Sequence, residues 1–313
     1  MYFPYLRGRQ FELIALRELV ESSLLSNKII PIIEPVKLSS TLIKTIEIFQ
    51  GADKQLALVR NPQVGNFVSD LNKDKNVHLK EKLYRLIKLG GIVDVHFLNP
   101  HSEKFINRLL EGGKDISDII TICKNEDDIP IFEEFFSSGK PKYNLISDES
   151  VFRRRIRHNR VMMDNRFKKQ SRNTDYAKMD DEPFSTDHLY YDEDGYVGFS
   201  DYSIIGNEYN ETGFAPYAVA IHIVYFDKDN RLRIKHFVSD TNDDITDPAG
   251  KFAEAVGKLV EWNKTKKLDT FSINTLTQMH EKEIYPGLGT VKKLSLMHHI
   301  ELIGRFLDGE IKK

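Results

Sequence analysis

The sequence of 313 residues contains a single cysteine, Cys123. One cysteine cannot form a disulfide within the chain, and such a composition is typical of proteins in a reducing compartment. It also excludes a zinc site built on several thiolates. A metal bound by this chain would therefore be held by oxygen or imidazole ligands.

Long apolar runs are missing as well. No stretch approaches the roughly 20 apolar residues that a membrane-spanning helix needs. The first residues also lack the apolar region of a secretory signal. The sequence therefore predicts a cytoplasmic protein that does not contact a membrane.

The sequence also lacks an excess of charge of one sign. The formal net charge is -2, which gives no support to a protein dedicated to coating nucleic acid, although local basic patches leave nucleic-acid binding open. Familiar signatures are also absent: there is no G-x-S-x-G, no P-loop and no glycine-rich Rossmann turn. With 40% hydrophobic and 29% charged residues, the composition is that of a globular protein with a sizeable core.

What the sequence does contain is a repeated strand–helix pattern, clearest at residues 28–37. Four isoleucines within 29–33 form a short run typical of a strand buried on both faces. Glu34 cannot lie unpaired inside such a strand, and Pro35 disfavours helical geometry at Glu34, so the strand ends there. Seven similar runs follow or precede it, most of them separated by helical segments: 2–6, 55–59, 92–98, 116–123, 143–147, 161–163 and 196–200.

Eight strands that alternate with helices predict an α/β fold of the (β/α)8 TIM-barrel-like type. An open doubly wound sheet is the alternative, but it lacks the support of a phosphate-binding turn after the first strand. The polar stretch 168–187 stands where the seventh helix should be, and we expect a loop there.

After the eighth strand the pattern changes. Residues 218–226 and 232–238 flank a turn signal and predict a β-hairpin. Three helical segments follow, at 250–262, 275–284 and 291–307. We therefore predict a barrel domain at 1–205 and a second domain at 206–313, whose hairpin and helices pack on the barrel or cap it.

In a barrel of this type the residues that follow the strands meet at one end, where functional groups usually lie. Cations and carboxylates are mixed there, which suits an anionic small molecule, phosphorylated or a nucleotide. We predict three catalytic carboxylates, Glu34, Asp164 and Asp201. The predicted ligand-binding residues are Arg7, Lys37, Arg60, Asn61, His96, Lys124 and Arg166. The alternative is an ion-pair ring that only solvates the barrel rim.

A metal site is a further hypothesis, with Mg²⁺ as the candidate cofactor. Oxygen and imidazole groups that bind Mg²⁺ or Mn²⁺ are present at Glu34, Asp94, His96, Asp164 and Asp201. Asp94 and His96 share a strand face, because side chains two positions apart point the same way. The alternative is that His96 is a hydrogen-bonded core histidine and Asp94 is its neighbour.

Two further groups of basic residues have open interpretations. Residues 153–157 carry four arginines, which suit phosphates or an acidic partner, or equally a solvated helix face. His298 and His299 are adjacent in the last predicted helix, so their side chains diverge. We expect them at a surface or an interface.

Several segments resemble one family. The N-terminal sequence YFPYLRGRQFE at 2–12 and the segment IPIIEP at 30–35 resemble the beta family of phage and bacterial proteins. Segments similar to its bacterial branch are FSDY at 199–202, PYAVAIH at 216–222 and HFVS at 236–239. The resemblance implies a barrel-like fold, and genes in mobile or defence-type neighbourhoods near a small predicted nuclease. It implies no established activity and supplies no catalytic residues.

Two functional hypotheses follow. In the first, the chain belongs to a bacterial antiphage-defence or mobile-element system and binds a phosphorylated or nucleotide ligand at the barrel mouth, with metal-dependent phosphodiesterase or nuclease activity as one form of it. In the second, the chain is a non-catalytic scaffold or partner subunit of a complex that contains the small nuclease.

Overall fold

The computed structural model describes residues 1–136, 139–210 and 216–311. These residues belong to two compact units, each built from several segments of the chain. The first unit consists of Met1–Leu13, Asn27–Asn165 and Tyr190–Tyr202. The second consists of Ile14–Ser26, Arg166–Leu189 and Ser203–Lys313.

The strands of the described residues follow one another in chain order as β1 (Tyr5–Leu6), β2 (Ile32–Ile33), β3 (Leu56–Val59), β4 (Ile92–Phe97), β5 (Ile119–Cys123), β6 (Tyr143–Ile146), β7 (Arg160–Asp164), β8 (Asp181–Ser185), β9 (Gly198–Asp201), β10 (Ala220–Phe226) and β11 (Leu232–Val238). The helices are α1 (Gln10–Glu21), α2 (Ser40–Gly51), α3 (Phe67–Asp70), α4 (Val77–Leu89), α5 (Ser102–Glu111), α6 (Ile129–Phe136), α7 (Ser150–Arg155), α8 (Asp187–Tyr190), α9 (Pro248–Lys266), α10 (Phe271–Glu281) and α11 (Leu288–Asp308).

The first unit is a nearly closed barrel of eight parallel strands in the order β1-β2-β3-β4-β5-β6-β7-β9. An isolated parallel bridge between Tyr2 and Phe199 joins the two ends of the sheet, and the Phe3 N–H donates to the Phe199 carbonyl over 2.9 Å. This architecture confirms the predicted (β/α)8 TIM-barrel-like fold, with helices alternating with the strands from β1 to β7.

Strands β1 and β2 are shorter than the runs that predict them, because each contains a proline. Pro4 and Pro31 have no N–H to give to a neighbouring strand, so the regular ladder is interrupted there. Their carbonyls still accept, from the Ile32 N–H and the Ala57 N–H respectively, both over 2.9 Å. Before these prolines the two segments pair with each other through a bridge between Tyr2 and Ile29.

The barrel interior is filled by alternate residues of the strands, since successive side chains of a strand point to opposite faces. The buried residues of this interior are Phe3, Tyr5, Ile30, Ile32, Ala57, Val59, Val93, Val95, Phe97, Ile120, Ile122, Leu145, Val161, Met163 and Tyr202. Three aromatic side chains, Tyr5, Phe97 and Tyr202, lie together at one end of this interior. The residues between the interior ones, such as Asp94 and His96 of β4, point away from the barrel axis.

The second unit contains a three-stranded antiparallel sheet in the order β10-β11-β8. Strands β10 and β11 form the predicted hairpin, with Phe226 opposite Leu232 and Ala220 opposite Val238. Helices α9, α10 and α11 confirm the three helices predicted for this part of the chain.

Strand β8 departs from the expected loop between β7 and β9. This segment carries a 3₁₀ helix at Asn173–Met179 and then β8, which pairs with β11. The sequence does not predict this strand, because Pro183 and the acidic residues before it are rare in strands. They are tolerated because β8 lies at the edge of its sheet, where a missing N–H breaks no central ladder.

Among the residues that the structure describes, no helix combines the length and the apolar character that crossing a bilayer requires.

Candidate functional site

The candidate site lies in the first unit, at the end of the barrel where the parallel strands finish. Arg7 follows β1, Glu34 follows β2, Lys124 follows β5 and Tyr202 follows β9. Tyr202 is itself one of the interior side chains, and the other three are each two residues beyond an interior side chain of their own strand, so all four point to the inner side of the sheet. We call this end of the barrel interior the mouth.

Glu34 is fully buried at the mouth and is surrounded by donors. The Tyr5 hydroxyl donates to its Oε2 over 2.5 Å, and the Gln63 N–H donates to its Oε1 over 2.6 Å. Arg7 forms an ion pair with the same Oε2. A buried carboxylate needs such partners, because an isolated ionised group would lose its hydration without compensation. Glu34 therefore holds Arg7 in place.

The turn after Arg7 requires a glycine. Gly8 has φ +64°, a conformation that side chains disfavour. A Cβ atom there would lie 3.1 Å from Ile33 Cγ2 and 3.2 Å from the Pro35 Cα. The close approach of the two loops that carry Arg7 and Glu34 therefore depends on the absence of a side chain at this position.

Lys124 lies over three aromatic rings. Its Nζ is 5.0 Å from the ring centroid of Phe97, 5.5 Å from that of Tyr202 and 5.6 Å from that of Tyr5. The ammonium also donates a hydrogen bond to the Tyr202 hydroxyl over 2.8 Å. The residue as a whole is exposed, but its charged end is held against a cage of rings by cation–π contacts.

Arg7 shares two of these rings with Lys124. Its guanidinium carbon lies 5.5 Å from the Tyr5 centroid and 5.7 Å from the Tyr202 centroid. The Tyr5 and Tyr202 rings are 5.1 Å apart in an edge-on arrangement. Two cations thus stand on one aromatic floor, which we define as Tyr5, Phe97 and Tyr202.

Burial and like charge shift the ionisation of this site. Burial, together with the nearby Arg7 charge, lowers the pKa of Lys124 to about 8. Burial raises the pKa of Tyr202 to about 12, against the opposing effect of Arg7 and with a smaller contribution from the Asp164 carboxylate. Burial also raises the pKa of Tyr5 well above its ordinary value. At neutral pH both tyrosines therefore keep their protons, and most Lys124 side chains are charged.

Asn61 joins two strands of the mouth. Its side-chain amide donates to the Phe97 carbonyl and its side-chain oxygen accepts from the Phe97 N–H, each over 2.9 Å. This predicted ligand-binding residue therefore fixes the strand that carries one ring of the aromatic floor.

Arg60 and His96 lie on the outer side of the sheet. Arg60 donates to Asp94 Oδ1 over 2.6 Å, and Lys114 pairs with the other oxygen of the same buried carboxylate. His96 Nε2 is 2.9 Å from Ser102 Oγ, and its ring stacks on Phe105 at 4.0 Å. Burial lowers the pKa of His96 to about 4, so the imidazole is neutral at neutral pH. This environment matches a core histidine.

Four other predicted residues have different surroundings, although the Asp164 carboxylate is close enough to Tyr202 to act on its pKa. Asp201 points to the outer side of β9 and accepts from the Tyr2 hydroxyl over 2.8 Å. Asp164 is exposed at the end of β7, and Lys37 is exposed after β2. Arg166 belongs to the second unit, where it makes a two-point ion pair with Asp187 at 2.7 and 2.9 Å. The structure thus brings together Arg7, Glu34 and Lys124, with Asn61 beside them.

The aromatic floor was missed by reasoning that considered only charged and polar residues after the strands. The signal was present in the sequence, because Tyr5 is two residues before Arg7 and Phe97 is two residues after Val95. Counting in steps of two from the buried strand residues would have placed both rings at the mouth.

A second group of predicted residues has surface partners. Arg153 pairs with Asp148 over 2.5 Å, and Arg155 pairs with Glu133, all of them partly exposed. By contrast, His298 and His299 are fully buried, so their expected place at a surface is wrong. His298 has hydrogen-bonding partners at both ring nitrogens, and His299 Nδ1 is 2.6 Å from Ser203 Oγ, all within the second unit.

The part of the chain described by the structure contains no group of three or more His, Cys, Asp or Glu side chains arranged to hold a metal ion. No protein-family model matches the chain, and no curated protein matches its sequence.

Proposed function

We propose that the barrel mouth binds the anionic group of a small molecule, a phosphorylated compound or a nucleotide. The observation that carries this proposal is the pair of cations, Arg7 and Lys124, on one aromatic floor. Glu34 forms an ion pair with Arg7, and Lys124 lies over the same Tyr202 ring as Arg7.

The proximity of the two cations supports the proposal. Because the Arg7 charge contributes to the low pKa of Lys124, each cation makes the other less favourable. An anion bound between them would remove this repulsion and raise the pKa of Lys124. Charge-assisted hydrogen bonds from Arg and Lys to phosphate oxygens are among the stronger contacts in proteins.

The aromatic floor holds the two cations in place. Tyr5, Phe97 and Tyr202 are buried beneath Arg7 and Lys124, so their rings fix the positions of the charges that would meet the ligand. The Tyr202 hydroxyl keeps its proton at neutral pH and adds a hydrogen-bond donor.

Thermal unfolding in the presence of inorganic phosphate, AMP and ATP tests the proposal, with and without Mg²⁺. A ligand present at one hundred times its dissociation constant stabilises the folded chain by about 2.7 kcal/mol. We expect such a shift for the native chain and a much smaller one for Lys124→Gln. Lys37→Gln is the matched control, because Lys37 is an exposed lysine at the same end of the barrel. Equal shifts in all three proteins, or none, would contradict the proposal.

The resemblance to the beta family adds a biological setting, in which the chain would act in an antiphage-defence or mobile-element system. A separate hydrolysis assay with a dinucleotide or an oligonucleotide tests the metal-dependent phosphodiesterase or nuclease form of this function. Cleavage of the phosphodiester bond that requires Mg²⁺ would support it.

A non-catalytic role as scaffold or partner subunit is the second candidate. It is favoured by the partners of two predicted catalytic carboxylates, since Glu34 is held by three donors and Asp201 by the Tyr2 hydroxyl. Co-purification with the small nuclease encoded nearby would test this role. Reversal of charge at Arg154 should weaken that association if the basic helix α7 is the contact surface, whereas Lys124→Gln should not affect it.

A further inference from the structure

Lys124 has a setting that binding of an anion does not require. Arg7 is already a permanent cation at the mouth, and a second arginine would bind phosphate in two-point geometry more readily than a lysine. Lys124 instead holds a primary amine over three rings, with a protonated phenol 2.8 Å from the nitrogen. An amine beside a proton donor in a partly desolvated site is the arrangement used for nucleophilic attack on carbonyl compounds.

We propose that Lys124 forms a Schiff base with an aldehyde or ketone that carries an anionic group, such as a 2-oxo acid or a phosphorylated carbonyl compound. This inference rests on the proposed function, because Arg7 would hold the anionic group of the same molecule. Lys124 and Arg7 lie over the same Tyr202 ring, at 5.5 and 5.7 Å from its centroid, so a molecule of a few carbon atoms reaches both.

The reaction begins with the neutral amine. The Lys124 ammonium releases one proton to water, and Nζ then adds to the carbonyl carbon. One of the remaining amine protons passes to the carbonyl oxygen, which gives a neutral carbinolamine. The Tyr202 hydroxyl donates its proton to the carbinolamine hydroxyl, the C–O bond breaks, and water leaves. The nitrogen lone pair forms the C=N bond, so the product is a cationic iminium.

The Tyr202 phenolate then takes up a proton from water and replaces the one that Lys124 released. The net change joins one carbonyl compound and one ammonium to give one iminium and one water, with no oxidant or reductant. Because the iminium carries the same positive charge as the ammonium, the aromatic floor stabilises the product as it stabilises the starting lysine.

The ionisation of the two groups supports this sequence. With its pKa near 8, Lys124 is neutral in about a quarter of the molecules at pH 7.5, whereas a lysine at the ordinary value is neutral in about one in a thousand. With its pKa near 12, the Tyr202 phenol is protonated at the same pH and remains available as a donor.

Reductive trapping on the full chain tests the inference. The protein is incubated at pH 7.5 with sodium cyanoborohydride and either glyoxylate or pyridoxal 5′-phosphate, and the modified lysines are quantified by peptide mass spectrometry. We expect Lys124 to be modified at least tenfold faster than Lys37, which is an exposed lysine at the same end of the barrel. Tyr202→Phe should slow the modification of Lys124 about tenfold and leave that of Lys37 unchanged.

Inorganic phosphate and the variant Lys124→Arg separate this inference from anion binding. Phosphate should slow the modification of Lys124 and should raise the unfolding temperature of both the native chain and Lys124→Arg. A phosphate shift without preferential modification of Lys124 would overturn the Schiff base and leave anion binding in place. Preferential modification that phosphate does not slow would overturn Arg7 as the anchor, and anion binding with it. Equal modification of Lys124 and Lys37 without a phosphate shift would overturn both.

Discussion

Arg7 and Glu34 form an ion pair between the ends of the neighbouring strands β1 and β2, and the carboxylate of this pair is fully buried. The contact fixes the guanidinium at the barrel mouth. It also makes Glu34 a structural requirement of the site, in addition to any role in chemistry.

The first prediction concerns this pair. Glu34→Gln removes the negative charge and takes from the buried Arg7 cation its ion pair with Glu34. Loss of one partner of a buried ion pair costs about 3–5 kcal/mol, so the free energy of unfolding should fall by that amount. Urea unfolding of the variant and of the native chain measures it. Glu261→Gln is the control, because Glu261 forms an exposed pair with Lys264; its effect should stay below about 1 kcal/mol. Equal effects would contradict the structural role of Glu34.

The strand pattern made the barrel predictable, and the positions of Arg7, Glu34 and Lys124 followed from it. The pattern did not show which of the residues after a strand point to its inner face and which to its outer face. Arg60 and Asn61 are adjacent, so one of them must point outward; Asn61 faces the mouth and Arg60 meets Asp94 on the outer side. Counting from the buried Val59 would have decided this in the sequence.

Other features depend on partners far away in the chain, which periodicity does not show. His298 is satisfied in the interior because its Nε2–H donates to the Val224 carbonyl and its Nδ1 accepts from the Thr270 hydroxyl, both over 2.7 Å. Strand β8 forms because β11 offers it an edge. Neither partner is identifiable from the local sequence, since the pairing is set by the folded chain.

The second prediction separates the structural role of Asn61 from a role in ligand binding. Asn61→Ala removes two hydrogen bonds to the Phe97 backbone. The N–H and the carbonyl of Phe97 both lose the Asn61 side chain as a partner. We expect a loss of stability of about 1–3 kcal/mol in urea unfolding. Phosphate affinity, measured by isothermal titration, should fall much less than in Lys124→Gln. A larger loss of affinity in Asn61→Ala would show instead that the amide contacts the ligand.

The third prediction is that anion affinity decreases above pH 8. Below this pH the Lys124 side chain is charged in the free protein, and above it the free protein loses the proton that the bound anion favours. Sulfate is the suitable probe, because its charge is constant over this range. Its affinity should be steady from pH 6.5 to 7.5 and then fall up to about tenfold per pH unit. In Lys124→Arg the affinity should stay constant to pH 9.5. A decrease of the same size in that variant would exclude Lys124 as the titrating group.

The fourth prediction concerns a pair of histidines in the second unit. His222 Nδ1 and His236 Nδ1 are 2.7 Å apart, so one nitrogen donates and the other, in a neutral ring, accepts. Burial lowers the pKa of His222 to about 3, and the charges of His236 and Lys292 act in the same direction. Burial also lowers the pKa of His236, against the opposing effect of Glu182.

The sign of the resulting pH dependence follows from these shifts. Between pH 6.5 and about 3 the unfolded chain takes up a proton at His222 and the folded chain does not. Stability therefore rises with pH in this window, by about 1.4 kcal/mol per pH unit for this one residue, and is lost as the pH falls. In His222→Asn, urea unfolding at pH 6.0, 5.0 and 4.5 should show a slope smaller by about that amount. His101→Gln, which replaces an exposed histidine, should keep the native slope. An unchanged slope in His222→Asn would mean that His222 is protonated in the folded protein.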